Sequence, residues 1–185
     1  RNQRDIRRGM SSGRSSEIQR LIGRSLRAAV HLGSIGERTV LLDCDVLQAS
    51  GGTRTASITA AFVCLVDALR RIASDDHLNT LPLASHVAAV SVGLVEGAPL
   101  LDLSYEEDKT AEIDCNVVMT SAGNFVELQC TGEKSSFSRN SLDYMLSLAE
   151  TGLEKIFSVQ REALALSADE EGLFDSLSSH PRHYD

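Results

Sequence analysis

The run Asp43-Cys44-Asp45-Val46-Leu47-Gln48-Ala49-Ser50-Gly51-Gly52-Thr53-Arg54-Thr55 constrains the fold more than any other stretch of this chain. An alternating apolar segment passes into a glycine pair and then directly into a helical pattern. Strand, tight turn and helix start must therefore follow one another without a spacer. A helix start carries unpaired N–H groups and a positive dipole end, and glycines let the backbone approach a ligand closely. Thr53 adds a hydroxyl and Arg54 a planar, permanently charged fork, so the turn is suited to holding an anion.

The 185 residues suffice for a domain with a substantial core. No apolar run approaches the roughly 20 residues that span a bilayer, and no charged-then-apolar leader is seen, so a cytoplasmic protein without a membrane partner is expected. The chain opens Arg1-Asn2-Gln3-Arg4-Asp5, without Met, which reads as a start inside a longer protein. Cys44, Cys64, Cys115 and Cys130 stand singly. With no C-x-x-C spacing, each is expected to be a small buried hydrophobe, with neither a zinc site nor a disulfide framework. The net charge of −8 hides an asymmetry: residues 1–54 hold ten arginines against five acids, and the remainder eight basic residues against twenty-one acids. An arginine-rich front is an electrostatic footprint for a phosphate-rich partner, the alternative being a solvated helix face.

Helical periodicity predicts an amphipathic helix over 15–31, opened by a Ser16/Gln19 capping box and carrying Arg20, Arg24 and Arg27 on one face. A strand is expected over 39–48, a second long helix after the glycine pair to about 72, four strands over 87–95, 100–103, 113–120 and 125–130, and a third helix over 140–166. Gly93, Gly97 and Ala122-Gly123-Asn124 are assigned to turns. Residues 167–185 read as an acidic, frayed tail after a domain over 1–166. The order implies a mixed α/β or α+β domain.

Arg14 and Arg54 each stand at an expected helix start, where a cation is unfavourable unless an anion joins it or a nearby acid pairs with it. No G-x-x-x-x-G-K-[ST] or G-x-G-x-x-G run is present, so the common nucleotide folds are unsupported. The acidic stretch from Tyr105 to Asn116 includes Asp108 and Asp114. In one unbroken strand these would lie about 20 Å apart, so they share a Mg²⁺ or Mn²⁺ only if the chain bends near 109–111. A carboxyl raised by a like-charged neighbour also serves as a general acid. The plain alternative is a solvated acidic edge, and for Asp43 and Asp45 that reading leads.

Arg1-Asn2-Gln3-Arg4, Ser12-Gly13-Arg14, Glu17-Ile18-Gln19-Arg20-Leu21-Ile22-Gly23-Arg24, Gly51-Gly52-Thr53-Arg54-Thr55-Ala56 and Asp114-Cys115-Asn116-Val117-Val118 together resemble ribonuclease PH, in order and over nearly the whole chain. The resemblance implies a duplicated βαβ-type fold with mixed sheets and long packed helices. It implies a phosphate-dependent 3′-to-5′ exoribonuclease (tRNA nucleotidyltransferase) that trims precursor tRNA and releases nucleoside diphosphates. Phosphate is then held by Arg14, Gly52, Thr53 and Arg54. Asp108 and Asp114 bind Mg²⁺ or Mn²⁺ and help the leaving oxygen as acids, and Arg1 and Arg4 contact tRNA. The expected assembly is a homohexameric ring, a trimer of dimers. A non-catalytic, RNA-binding ring subunit and an inactive truncated fragment are the competing readings. The family pattern Gln-Ala-Asp before the glycine pair is here Gln48-Ala49-Ser50, and the start at Arg1 reads as lying beyond the opening strands that the resemblance implies.

Overall fold

The structure, a computed structural model, describes residues 13–75, 81–134, 136–165 and 167. Helix α1 spans Gly13–Ala28, α2 Thr53–Asp75, the short α3 Tyr105–Thr110 and α4 Arg139–Leu164. Strands β1 (Val87–Val95), β2 (Ala98–Leu101), β3 (Ile113–Thr120) and β4 (Phe125–Gly132) form one four-stranded sheet of order β2-β1-β3-β4. Every pairing in it is antiparallel, so the domain is α+β, as expected. No helix among the described residues is long and apolar enough to cross a membrane.

The two-residue period of β1 and β3 divides the core. Ala88, Val90 and Val92 of β1 and Ile113, Cys115, Val117 and Met119 of β3 pack against Met145, Ala149, Leu153 and Phe157 of α4. Val87 and Ala89, with Val118 of β3, point the other way. There they meet Leu21 and Leu26 of α1 and Ile58, Phe62, Leu65, Val66 and Leu69 of α2. The sheet is thus a middle layer between α1/α2 and α4. Near the end of α4 the buried Gln160 amide donates to the carbonyls of Thr59 (3.0 Å) and Val87 (3.1 Å), tying the outer layers together.

Four expectations are corrected. Residues 39–48 form no strand: the sheet offers them no partner, and Leu41 and Leu47 are more than 90% exposed. Their alternation survives only in part, with Val40 and Leu42 resting against the α1/α2 core. Gly93 is not a turn residue but lies inside β1, where an added Cβ would fall 2.5 Å from the Ile113 carbonyl oxygen. Helix α1 begins at Gly13, which places Ser16 inside its first turn rather than at its cap. Finally, Cys115 and Cys130 are bonded as a disulfide, and Cys44 and Cys64 are exposed. The β3–β4 register sets Cys115 directly opposite Cys130, an adjacency that single cysteines in sequence do not disclose.

Candidate active site

Gly51 and Gly52 reach α2 through backbone conformations with φ of +130° and +54°, which L side chains rarely adopt. Gly51 has a second requirement, because its Cα lies against the backbone of Leu103 and Ser104, where a Cβ would collide. The Ser50 carbonyl accepts the Tyr105 N–H at 2.5 Å. The glycine turn is thereby docked onto the connection between β2 and α3. Thr55 Oγ1 donates to the Gly52 carbonyl at 2.8 Å, and Ser57 Oγ to that of Thr53 at 2.7 Å, which fixes the first turn of α2.

Helix α3 supplies the bend that Asp108 and Asp114 require. Ser104 caps it with a reciprocal box: its hydroxyl accepts the Glu107 N–H, and the Glu107 carboxylate accepts the Ser104 N–H at 2.7 Å. Buried Leu103 and Ala111 anchor the two ends, and Lys134 Nζ donates to the Thr110 carbonyl at 2.6 Å. The chain then turns into β3 at Ile113. A six-residue helix replaces the extended edge read from the sequence. The Ser104-x-x-Glu107 spacing was the available signal for it.

These elements enclose a cleft of about 280 Å³, lined by Arg14, Gly52, Thr53, Arg54, Asp108 and Asp114 together with Ser91, Tyr105 and Asn116. The six residues singled out for phosphate and metal binding therefore share one cleft. Arg1 and Arg4, assigned to RNA contact, lie outside the described residues, as does the tail from 168 onward. Register explains the lining. Asn116 sits opposite Ser91 on β1 and Gln129 on β4, and Asp114 sits opposite Gly93 and Thr131, so two polar rows cross the face toward α1 and α2. Gly93 brings no side chain of its own opposite Asp114, and Leu103 Cδ1 lies 2.7 Å from where its Cβ would fall.

Burial pushes the Asp114 carboxyl above the ordinary carboxylate range, the Asp108 charge adds to the rise, Arg54 opposes it and Glu133 adds further. Asp114 thus feels the Asp108 charge, and a cation beside it would relieve both its burial and that repulsion. Mg²⁺ commonly takes one or two carboxylates and keeps several waters, so this donor pair fits it even though no group of three or more His, Cys, Asp or Glu clusters among the described residues.

Residues that sequence reasoning did not assign complete the surroundings. Glu17 of α1 and Gln129 of β4 both contact Arg54. Asp102, at φ +58°, brings a carboxylate oxygen 3.4 Å from where a Gly52 Cβ would lie. Of the arginine face on α1, Arg24 holds Glu127 of β4 through two hydrogen bonds, of 2.5 and 2.8 Å, so the structural reading applies to that residue.

The fold agrees with comparisons to known proteins. Residues 2–70 match the sequence model of the 3′ exoribonuclease family, domain 1, and residues 85–152 that of domain 2. The chain belongs to this family, ribonuclease PH and its relatives. Among solved structures it is similar to Rrp46 of rice (Oryza sativa), with a TM-score of 0.63 and 16% identity over 85% of this chain and 68% of that one. It is also similar to the Archaeoglobus fulgidus exosome with RNA bound to the active site, with a TM-score of 0.60 and 21% identity over 80% of this chain and 61% of that one. At these identities the likeness concerns the fold.

Proposed function

We propose that the protein is a phosphorolytic 3′-to-5′ exoribonuclease acting on RNA 3′ ends, precursor tRNA among them. The observation that carries this reading is the single cleft in which Arg14, Gly52, Thr53 and Arg54 face Asp108 and Asp114. An anion seated at the start of α2 meets N–H groups, a hydroxyl and a guanidinium. Inorganic phosphate held there attacks the phosphorus of the last RNA linkage. The bond from that phosphorus to the 3′ oxygen of the preceding nucleotide breaks, giving a nucleoside 5′-diphosphate and an RNA shorter by one residue. The leaving 3′ oxygen must gain a proton, and the raised affinity of Asp114 for one marks it as the candidate donor. Asp108, joined by Asp114 when its carboxyl is ionised, would hold Mg²⁺ or Mn²⁺, which supplies charge stabilisation to the reacting phosphates. A homohexameric ring, a trimer of dimers in the cytoplasm, is the assembly proposed with this activity.

The test is incubation of the protein with a 3′-extended tRNA, Mg²⁺ and phosphate. Nucleoside diphosphates should be released in proportion to phosphate, and Arg54→Ala should raise the phosphate concentration required while leaving RNA binding in place. Asp114→Asn should abolish turnover with RNA still bound. Release that ignores phosphate, or yields monophosphates, overturns the proposal.

A further inference from the structure

Arg54 is not alone in its cleft, and its neighbours are arranged in a closed triangle drawn from three elements. Arg54 Nη1 of α2 donates to Gln129 Oε1 of β4 at 3.4 Å. Gln129 Nε2 donates to Glu17 Oε1 of α1 at 3.0 Å. The third side, Arg54 Nη1 to Glu17 Oε1, is an ion pair only at 3.7 Å. The amide orientation is dictated by its partners, since only its oxygen accepts from a guanidinium and only its nitrogen donates to a carboxylate. Gln129 therefore occupies, with one end each, the two groups that would otherwise attract each other directly. Without it, nothing in the triangle keeps the arginine fork from closing onto the carboxylate in the two-bond geometry that such pairs favour. Arg24 and Glu127, on the same two elements α1 and β4, show that closed geometry.

We infer that Gln129 is a positioning residue for the anion site: it holds Glu17 off Arg54, so that the guanidinium stays available to phosphate. This rests on the reading of Arg54 as an anion ligand given above. Neither Nε nor Nη2 of Arg54 takes part in the triangle, so the fork keeps donors for an anion while Nη1 is fixed. Gln129 also faces Asn116 across the β3–β4 ladder, and Asn116 lines the same cleft. Its position is thus set by the sheet, not by a mobile loop.

The inference makes a prediction that a merely structural role for Gln129 does not. Gln129→Ala should weaken binding of inorganic phosphate, measured by titration calorimetry on the whole chain, by about threefold to tenfold, the net range of one ordinary hydrogen bond gained by a competitor. Adding Glu17→Ala should restore binding to the native level or better, because the competing carboxylate is gone. Melting temperatures of both variants should stay close to that of the native chain, since Gln129 is half-buried on an edge strand and Glu17 exposed. Native affinity in Gln129→Ala, or a double variant that binds no better than the single one, overturns the inference. Arg54→Ala separates this from the functional reading. If it abolishes phosphate binding and the Gln129 pattern holds while RNA cleavage ignores phosphate, the proposed reaction fails and the positioning role stands. If Arg54→Ala leaves phosphate binding unchanged, both fail.

Discussion

Gly51→Ala is the substitution whose cost follows most directly from the structure. A Cβ at Gly51 would fall against the Leu103 carbonyl oxygen, 2.9 Å from the Ser104 carbonyl carbon and 3.0 Å from its Cα. All three are backbone atoms, so no side-chain rotation relieves the collision. The turn must lift away from the β2–α3 connection, breaking the Ser50–Tyr105 hydrogen bond, worth about 1 kcal/mol net. The φ of +130° adds backbone strain for an L residue of roughly 1–3 kcal/mol. Together these give a loss of about 2–4 kcal/mol, and near 3 kcal/mol the melting temperature should fall by roughly 6–12 °C for a chain of this size. Gly52→Ala is the control. Its φ of +54° is left-handed, but an added Cβ would meet Thr55 Oγ1 at 3.3 Å and an Asp102 carboxylate oxygen at 3.4 Å, both on side chains able to yield. It should cost only the left-handed penalty of about 1–2 kcal/mol. Urea denaturation followed by circular dichroism, with the slope checked for constancy, ranks the two. Equal losses, or a larger loss for Gly52→Ala, would refute the claim that Gly51 exists for backbone approach. Turnover should drop in Gly51→Ala by more than the unfolded fraction explains, because lifting the turn parts Thr53 and Arg54 from Asp108.

Two further outcomes are expected. Asp114 has a folded pKa raised above its ordinary value, so ionising it opposes folding. That cost is absent below the ordinary carboxylate range and complete once the pH passes the raised pKa. Asp114→Asn should therefore be more stable than the native chain at neutral pH, with the gap narrowing as the pH falls through the raised pKa and closed below about 4; thermal melts across that range check it, and a gap independent of pH contradicts the burial argument. The Cys115–Cys130 bond closes a loop with a sequence separation of 15, so its reduction by a dithiol should cost about 2–3 kcal/mol in urea unfolding. Thiol titration of the denatured, unreduced chain should find only Cys44 and Cys64, and four reactive thiols would refute the bond.

What the sequence disclosed and what it concealed divide along the range of the interactions involved. Periodicity places α1, α2, α4 and the strands to within a few residues, because those patterns are local. The glycine turn and the helix start that carries Arg54 were legible for the same reason, since both are written in neighbouring residues. Residues 39–48 misled because alternation reports a face to be buried, not the presence of a neighbouring strand. Glu17 and Gln129 are 112 residues apart, and Cys115 and Cys130 meet only through the β3–β4 register, so neither pairing has a local signature.

One signal for the cleft was nevertheless local and lies in the central strands themselves. A strand buried on both faces should read as a continuous apolar run. β1 and β3 do so on the face toward α4, where Ala88, Val90, Val92, Ile113, Cys115, Val117 and Met119 alternate without interruption. On the opposite face the run breaks at Ser91 and Gly93 in β1 and at Asp114 and Asn116 in β3, and Ser91 and Asn116 are nearly as inaccessible as the core. Burying such groups opposes folding unless each finds a partner. Ser91 answers that cost structurally, since its hydroxyl accepts the Leu103 N–H at 3.2 Å and its carbonyl the Asp102 N–H at 2.8 Å. Asp114 does not, because the fold raises its pKa instead of relieving it. A carboxylate kept at a position the sheet would fill more favourably with an apolar side chain is best explained by what it meets in the cleft, and the polar breaks on that one face mark where the cleft must be.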